Sequence, residues 1–515
     1  MRERKHWGWG FADEQPSRDE LVAAAAGIGE VFGFGSHDVE DPVALAAAGL
    51  PEPRVDGAPF ADVSTHARAT HAWGKSYSDV VRGFRGRFEH APDAVLRPAD
   101  EREVEQALEW AAANDVVVVP YGGGTSVVGG VTPMVDAPRV SLDLQRLDRV
   151  LEVDPVSRAA RIQAGALGPG LEAQLAEHGM TLRHFPQSFE FSTLGGWVAT
   201  RAGGHFAMVE THIDDLVESV RAITPAGAWE SRRLPGSGAG PSPDRMLIGS
   251  EGILGVITEA WVRIRPRPVH RRSAGVAFGD FMAGAEAVRE LSQSGLHPSN
   301  CRLIDPLEAR YTGTGDGSSA MLVLGFESGD EDGRAALDAR MDRALAIVRG
   351  HGGDAEERGG DGAVGSWRTA FLRAPYFRDT FVAVGVLSDT FETSITWERF
   401  PAFHASVTAA AREAAGAQAH VSCRFTHVYP DGPAPYYTVI APAERGEEVA
   451  QWAAIKAAAS DAVIAAGGTI THHHAVGRDH DHWYRQQRPA VVGRALAAAK
   501  RELDPAGILN PGVIA

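Results

Sequence analysis

A glycine triplet placed directly after a short apolar run constrains this chain most. Val116-Val117-Val118-Val119-Pro120 is too short for a helix and rich in β-branched residues, so a buried strand is predicted there. It runs straight into Pro120-Tyr121-Gly122-Gly123-Gly124-Thr125-Ser126. Three consecutive glycines let the backbone take positive φ and approach a ligand closely. Successive N–H groups in such a turn form a nest for an anion, and Thr125 and Ser126 add hydroxyl donors, so a diphosphate is the natural guest. No Gly-Lys-Ser/Thr follows, which excludes a Walker A loop, and the spacing is not that of a Rossmann fingerprint. A second glycine-rich stretch, Gly236 to Gly240, has Pro241 where that fingerprint needs its last glycine and reads as a plain loop.

The triplet has two companions. Glu190-Phe191-Ser192-Thr193-Leu194-Gly195-Gly196-Trp197, followed by Thr200-Arg201-Ala202-Gly203-Gly204, pairs glycines with small hydroxyl residues. Ile248-Gly249-Ser250-Glu251-Gly252-Ile253-Leu254-Gly255-Val256-Ile257-Thr258 is a glycine turn feeding a β-branched strand. One such loop is weak; three in this order are specific.

Length and charge bound the rest. At about 150 residues per domain, 515 residues suggest two to four units. A net charge of −17 argues against a general nucleic-acid binder, while local basic pockets for a phosphorylated substrate stay open. Two cysteines, Cys301 and Cys423, make neither a disulfide framework nor a cysteine-rich metal site. No apolar run approaches the roughly 18–20 residues of a membrane span, and the charged start lacks the apolar region of a signal peptide. A cytoplasmic protein is expected, with peripheral membrane contact open.

Residues 1–90 read as a mostly helical segment, with short helices near 18–30 and 41–49. A helix from Asp100 to about Asn114 is predicted, with Asp100 as N-cap and Glu103 three residues on. Strands are predicted at Val140 to Leu144, Arg149 to Val153, Ala160 to Ala164, Val217 to Thr224 and Gly255 to Arg265, with a helix from Pro169 to Glu177. Residues 91–270 thus form one mixed α+β unit. Residues 271–450 alternate strands with helices such as 333–349, and Gly329 to Asp332 and Gly359 to Gly362 read as solvated loops. Residues 451–515 carry helices at about 445–465 and 488–502 around a histidine cluster.

The three loops resemble the flavin-binding domain of the vanillyl-alcohol-oxidase, or PCMH-type, superfamily. Within it the chain is similar to the alkyldihydroxyacetonephosphate synthases. The segments that carry this are His6 to Phe11, Phe189 to Arg201, Cys301 to Asp305, Phe391-Glu392-Thr393-Ser394, Arg424 to Tyr429, and His472-His473-His474-Ala475-Val476-Gly477. The resemblance implies an α+β fold: a PCMH-type FAD-binding domain, a mixed α+β cap domain and a helical N-terminal segment. It implies non-covalent FAD, since the first loop has no histidine to carry a covalent link. Pro120, Tyr121, Gly122, Gly123, Gly124, Thr125 and Ser126 would hold the diphosphate. Gln187, Ser188, Phe189, Glu190, Phe191, Ser192 and Thr193 would complete the site with Thr200, Arg201, Ala202 and Gly203. Glu251, Gly252, Ile253, Leu254, Gly255, Val256 and Ile257 would close it.

By the same resemblance the activity is exchange of the acyl chain of acyl-dihydroxyacetone phosphate for a fatty alcohol. Tyr436, a few residues after the turn Thr426-His427-Val428-Tyr429, would move the proton. Arg378 would bind the phosphate, with Arg302 a second substrate residue, and His472, His473 and His474 would be catalytic. Tyrosine serves as a base only if its pKa is lowered, which neighbouring imidazolium and guanidinium groups would do. Arginine clasps phosphate with its planar fork. Each residue has a bland rival: a strand tyrosine is more often packing. The histidines have a sharper one. With Asp479, His480, Asp481 and His482 they resemble a metal cluster, but on a strand only His472 and His474 would share a face, and no metal is expected. The partner is a lipid-like substrate bearing a phosphate, with no nucleic acid, and a homodimer is expected. The other class left open is an FAD-linked oxidase or dehydrogenase of 2-hydroxy acids or alcohols.

Overall fold

Runs of β-branched residues become the interior strands of three sheets. The computed structural model describes residues 2–34, 38–132, 134–356 and 375–514. Val117–Tyr121 pairs in parallel with Arg139–Asp143, which pairs in parallel with Ala94–Leu96, and Ala61–Asp62 closes that four-stranded sheet. A five-stranded antiparallel sheet runs Val150–Asp154, Ala159–Gln163, Val256–Arg263, Val217–Thr224, Gly227–Glu230. The first glycine loop leaves the four-stranded sheet and the third enters the five-stranded one, while the second runs through the helix Leu194–Thr200. The helix Glu101–Ala113 starts where expected: the Asp100 side chain accepts the Glu103 N–H at 2.9 Å. Glu103 instead accepts from Ala99, one residue upstream, at 2.6 Å, so the cap is not reciprocal.

Residues 270–442 build a seven-stranded sheet in the order Asp354–Glu356, His270–Phe278, Ala320–Ser328, Asn300–Ile304, His420–Val428, Pro433–Pro442, Val386–Glu392. One face packs the helices Phe281–Gln293, Arg334–Gly350 and Phe400–Ala415 on a core containing Phe278, Leu322, Phe403 and Tyr437. The other face looks at the glycine loops. Side chains alternate across a strand, so Tyr436, Thr438 and Ile440 face the loops, while Tyr437 turns back to His404 of the helix Phe400–Ala415 at 3.2 Å.

Several expectations differ. Residues 41–49 hold only the 3-10 turn Leu45–Ala47, because Pro42 and Pro51 bracket it and Val43 N–H is taken by the Phe84 carbonyl. Among the described residues of the first 90, the α-helices are Arg18–Phe32, Thr65–Thr70 and Tyr77–Phe84, and the rest is extended, turning or in the short 3-10 helices Ala12–Glu14 and Leu45–Ala47. Thr426 to Val428 end the strand His420–Val428, and the turn lies at Tyr429 to Gly432, whose backbones bond each other. His472 to His474 lie on a bend and not on a strand. A further helix, Asp481–Gln487, follows them. Gly329 to Asp332 is an exposed loop for the most part; Gly359 to Gly362 lie outside the described residues.

A distant segment completes the first loop's strand. Val118 N–H is accepted by the Ile508 carbonyl and Asn510 N–H by the Val118 carbonyl, both at 2.9 Å. Asn510 Nδ2 also donates to the Glu251 carbonyl at 2.8 Å and the Gly130 carbonyl at 3.1 Å. Asp504 sets this segment: its buried carboxylate accepts the N–H groups of Ile508 and Leu509 at 3.1 and 2.8 Å and pairs with Lys500 at 2.6 Å. Removing one partner of a buried ion pair strands the other. Asp504→Ala should therefore lower stability by about 3 kcal/mol, read by chemical denaturation. A loss under about 1 kcal/mol would show that water replaces the carboxylate there.

Candidate active site

All three loops open on one cavity of 560 Å³. Pro120, Tyr121, Gly122, Gly123, Gly124, Thr125 and Ser126 line it, with Gln187, Ser188, Ser192, Thr193, Thr200, Ala202, Gly203, Glu251, Gly252, Gly255 and Ile257. The other residues expected there do not line it. Phe189 stacks on Trp197 with ring centroids 6.3 Å apart, and Glu190 accepts from the Tyr376 hydroxyl at 2.6 Å. Phe191 carries the Arg4 guanidinium over its ring at 4.2 Å, and Arg201 pairs with Asp214 at 3.0 Å. Ile253 and Leu254, in the turn before the strand, and Val256, its first residue, are fully buried among apolar side chains.

The glycines are needed by packing as much as by a ligand. A Cβ on Gly123 would stand 1.6 Å from the Phe191 carbonyl oxygen, and one on Gly122 2.3 Å from Thr193 Oγ1. The first two loops are thus pressed together. At Gly122, Gly123 and Gly124 the backbone itself lines the cavity. This fits an extended dinucleotide whose diphosphate needs N–H donors.

Across from the loops stand Arg378, Thr390, Arg424, Thr426, His427, Tyr436, His473 and His474. The Tyr436 hydroxyl donates to Thr390 Oγ1 at 2.9 Å, and the Arg424 guanidinium lies over its ring at 3.8 Å. Arg424 is itself ion-paired with buried Glu308. The Tyr436 phenol is held above its ordinary value: burial pushes it up, and Arg424, the Thr390 hydrogen bond and Arg378 offset only part of that, so the lowered pKa expected of a base is not found. Arg378 donates to the Lys75 carbonyl at 2.5 Å and stands 3.7 Å from Asp389. Arg302 and His472 do not reach the cavity wall. Arg302, buried, donates to the His205 carbonyl at 3.1 Å.

The histidine segment is held by two carboxylates: Glu251, expected at the cofactor site, and Glu392, which the sequence did not mark as a site residue. Glu392 accepts the backbone N–H groups of His472, His473 and His474 at 2.6, 3.0 and 2.8 Å, and the Thr471 hydroxyl at 2.6 Å. Glu251 accepts those of Val476 and Gly477 at 2.8 Å each. The resulting bend brings His472 and His473, not His472 and His474, together. Their Nδ1 atoms are 3.0 Å apart, and His427 joins them, with ring nitrogens of all three within 4.8 Å. His472 Nε2 meets the Tyr429 hydroxyl at 2.6 Å, and His427 Nε2 meets the Gly204 carbonyl at 3.0 Å. Burial holds His473 and His474 down at about 3, with Glu392 partly offsetting it at His474. The rings are therefore neutral at pH 7, so the expected imidazolium help for Tyr436 is absent and only the guanidinium part stands. A charge inside His420–Val428, at Arg424, was a signal in the sequence; Glu392 gave none, since its strand Val386–Glu392 also carries Ser388, Asp389 and Thr390.

Known proteins resemble this chain in sequence and fold. Residues 92–231 match the family model described as FAD binding domain, and 267–514 that of FAD linked oxidases, C-terminal domain. An alkyldihydroxyacetonephosphate synthase of Caenorhabditis elegans is 32% identical over 86% of this chain and 79% of its own, and one of Trypanosoma brucei brucei 30% over 87% and 77%. A solved alkyldihydroxyacetonephosphate synthase superposes with TM-score 0.83 at 26% identity, covering 98% of both chains. The chain belongs to the alkyldihydroxyacetonephosphate synthase family. It is an FAD-dependent enzyme with the PCMH-type α+β fold. The p-cresol methylhydroxylase structure, at 15% identity and TM-score 0.71 over 88% of this chain and 93% of its own, shares that fold.

Buried neutral rings make a pH prediction. A ring held below its ordinary value takes up no proton when folded but takes one when unfolded, so its contribution to stability is lost as pH falls below about 6.5. Carboxyls held up do the reverse, losing stability as pH rises toward their folded value. His184, His473 and His474 at about 3 offset Glu251, Asp305 and Asp479 at about 7. His205, His427, His472 and His480, all held well below 6.5, tip the balance. Unfolding free energy should fall by at least about 1 kcal/mol per pH unit from pH 6.5 to 5. A flat profile over that range would mean the rings charge in place.

Proposed function

We propose that this enzyme exchanges the acyl chain of an acyl-dihydroxyacetone phosphate for a fatty alcohol, releasing a fatty acid and forming an ether without net redox. One observation carries the reading: a single cavity is lined by the glycine loops, by Arg378 and Tyr436, and by an apolar set, Ala24, Gly27, Ile28 and Val31 of the helix Arg18–Phe32 with Phe381 and Ile440. A flavin, a phosphorylated ketone head and a long chain need these three environments.

FAD, when bound along the loops, supplies the electron sink that no side chain offers. Arg378 clasps the substrate phosphate with its planar fork. Tyr436 takes the proton from the carbon bearing the acyl group, with Arg424 beneath its ring to favour the phenolate, and later returns it. His473 and His474 offer neutral polar contacts beside that carbon, and Glu392 holds them there. His472 and His473 face each other across one shared hydrogen, and His472 is bonded to Tyr429, so we assign the cluster to the reaction and not to a metal. In this reading residues 1–90 and 271–450 form the wall and cap over a cofactor unit at 91–270, and 451–515 return to it. A cytoplasmic homodimer touching membrane peripherally completes it; among the described residues no helix is long and apolar enough to cross a membrane.

Purified protein should give a colourless pellet and yellow supernatant on acid precipitation, and elemental analysis should find no stoichiometric zinc, iron or manganese. A fluorescent pellet, or one metal per chain lost together with activity, overturns those assignments.

Mixed anaerobically with palmitoyl-dihydroxyacetone phosphate and hexadecanol, the enzyme should make ether and palmitate over many turnovers with no acceptor. Tyr436→Phe should lose about 10²-fold or more in turnover while keeping FAD. The reading fails if no ether forms while lactate or glycolate bleaches the flavin, which would mark an oxidase or dehydrogenase instead.

A further inference from the structure

The first residues form a buried strap against the cavity. Lys5 N–H bonds the Gly10 carbonyl at 3.1 Å and Ala12 N–H the Glu3 carbonyl at 2.9 Å, closing the strap on itself. Trp7 packs edge-on against Phe84 at 5.1 Å, and a Cβ on Gly83 would stand 2.8 Å from the Trp7 Cα. Those apolar contacts suffice to dock a strap.

The strap also carries a charged latch. Asp379 accepts the Trp9 backbone N–H on both oxygens, at 3.0 and 3.1 Å, and pairs with the Lys5 ammonium at 3.0 Å. All three residues are buried. Gly8 is required by the latch, since a Cβ there would lie 2.3 Å from Asp379 Oδ2. A buried ion pair is a poor source of stability but fixes geometry. What it fixes is the helical segment 375–383, on which Asp379 follows Arg378. Trp9 itself lines the cavity, and its indole N–H is buried with no hydrogen-bond partner. Buried donors are almost always satisfied, so an orphan at a cavity wall asks for an acceptor from a ligand.

We propose that the strap Lys5 to Gly10 is part of the phosphate end of the substrate site. Lys5, through Asp379, positions Arg378, and the Trp9 indole N–H donates to an oxygen of the same phosphate. This rests on the reading of Arg378 as the phosphate residue. Lys5 is a positioning residue; Trp9 is a binding residue.

The test is calorimetric titration of the FAD-loaded protein with dihydroxyacetone phosphate. Trp9→Phe keeps the ring and removes the donor, and should weaken binding about tenfold while FAD content stays that of the parent. Lys5→Met should weaken it as well, but in an Arg378→Ala background Lys5→Met should add nothing, because it acts through that arginine. Gly8→Ala serves as a harsher third variant. If Arg378→Ala leaves the affinity unchanged, the phosphate reading of the cavity fails. If Arg378→Ala weakens binding but Trp9→Phe and Lys5→Met bind like the parent, the strap inference alone fails. It also fails if Trp9→Phe sheds FAD and leaves phosphate affinity intact, since the donor then serves the cofactor.

Discussion

One carboxylate organises the reactive end of this enzyme. Glu392 sits at the end of Val386–Glu392, and consecutive backbone N–H groups of residues 472–474 close around it. A bend whose donors converge inward must turn its side chains outward, and these side chains are imidazoles. Glu251 repeats the device on residues 476 and 477 from the opposite side, within the third glycine loop. The histidine segment is thus tied to the cap sheet by one carboxylate and to the cofactor loops by another. Without either tie, the cavity would lose the part of its wall that His473 and His474 supply.

The strand period decides which aromatic residue faces the chemistry. Tyr436 and Tyr437 are adjacent, yet Tyr437 stacks on Phe391 at 4.9 Å in the core, while Tyr436 lines the cavity. A shift of one residue in the pairing of Pro433–Pro442 with its neighbours would exchange them. Register is held on both sides, by Cys423 and Phe391 opposite Tyr437 and by Arg424 and Glu392 opposite Tyr436. The same pairing therefore sets the guanidinium, the phenol and the carboxylate level with one another.

Much of the first half was legible because its signals are local. A β-branched run before Gly122, a helix cap at Asp100 and an alternating run at Val217 to Thr224 each announce one element within a few residues. The proline-bracketed segment at 41–49 misled because its alanines favour helix while its backbone is claimed by Phe84 far along the chain. The histidine geometry was not legible at all. Alternation along a strand is the natural assumption for three adjacent rings, and only a carboxylate 80 residues upstream turns them into a bend. Likewise, the imidazoles' neutrality comes from burial by elements remote in sequence, which residue types alone do not report.

The hydrogen bonds between Val118 and residues 508–510 have a consequence for how the enzyme is made. The strand that carries the first glycine loop waits for a partner lying 390 positions later in the chain (118 against 508). At about 5–20 residues per second, a ribosome takes roughly 20–80 s to span that interval. Throughout it, the loop's strand has one open edge. The strand edge beneath the cofactor cradle therefore cannot be paired until residues 508–510 have been made.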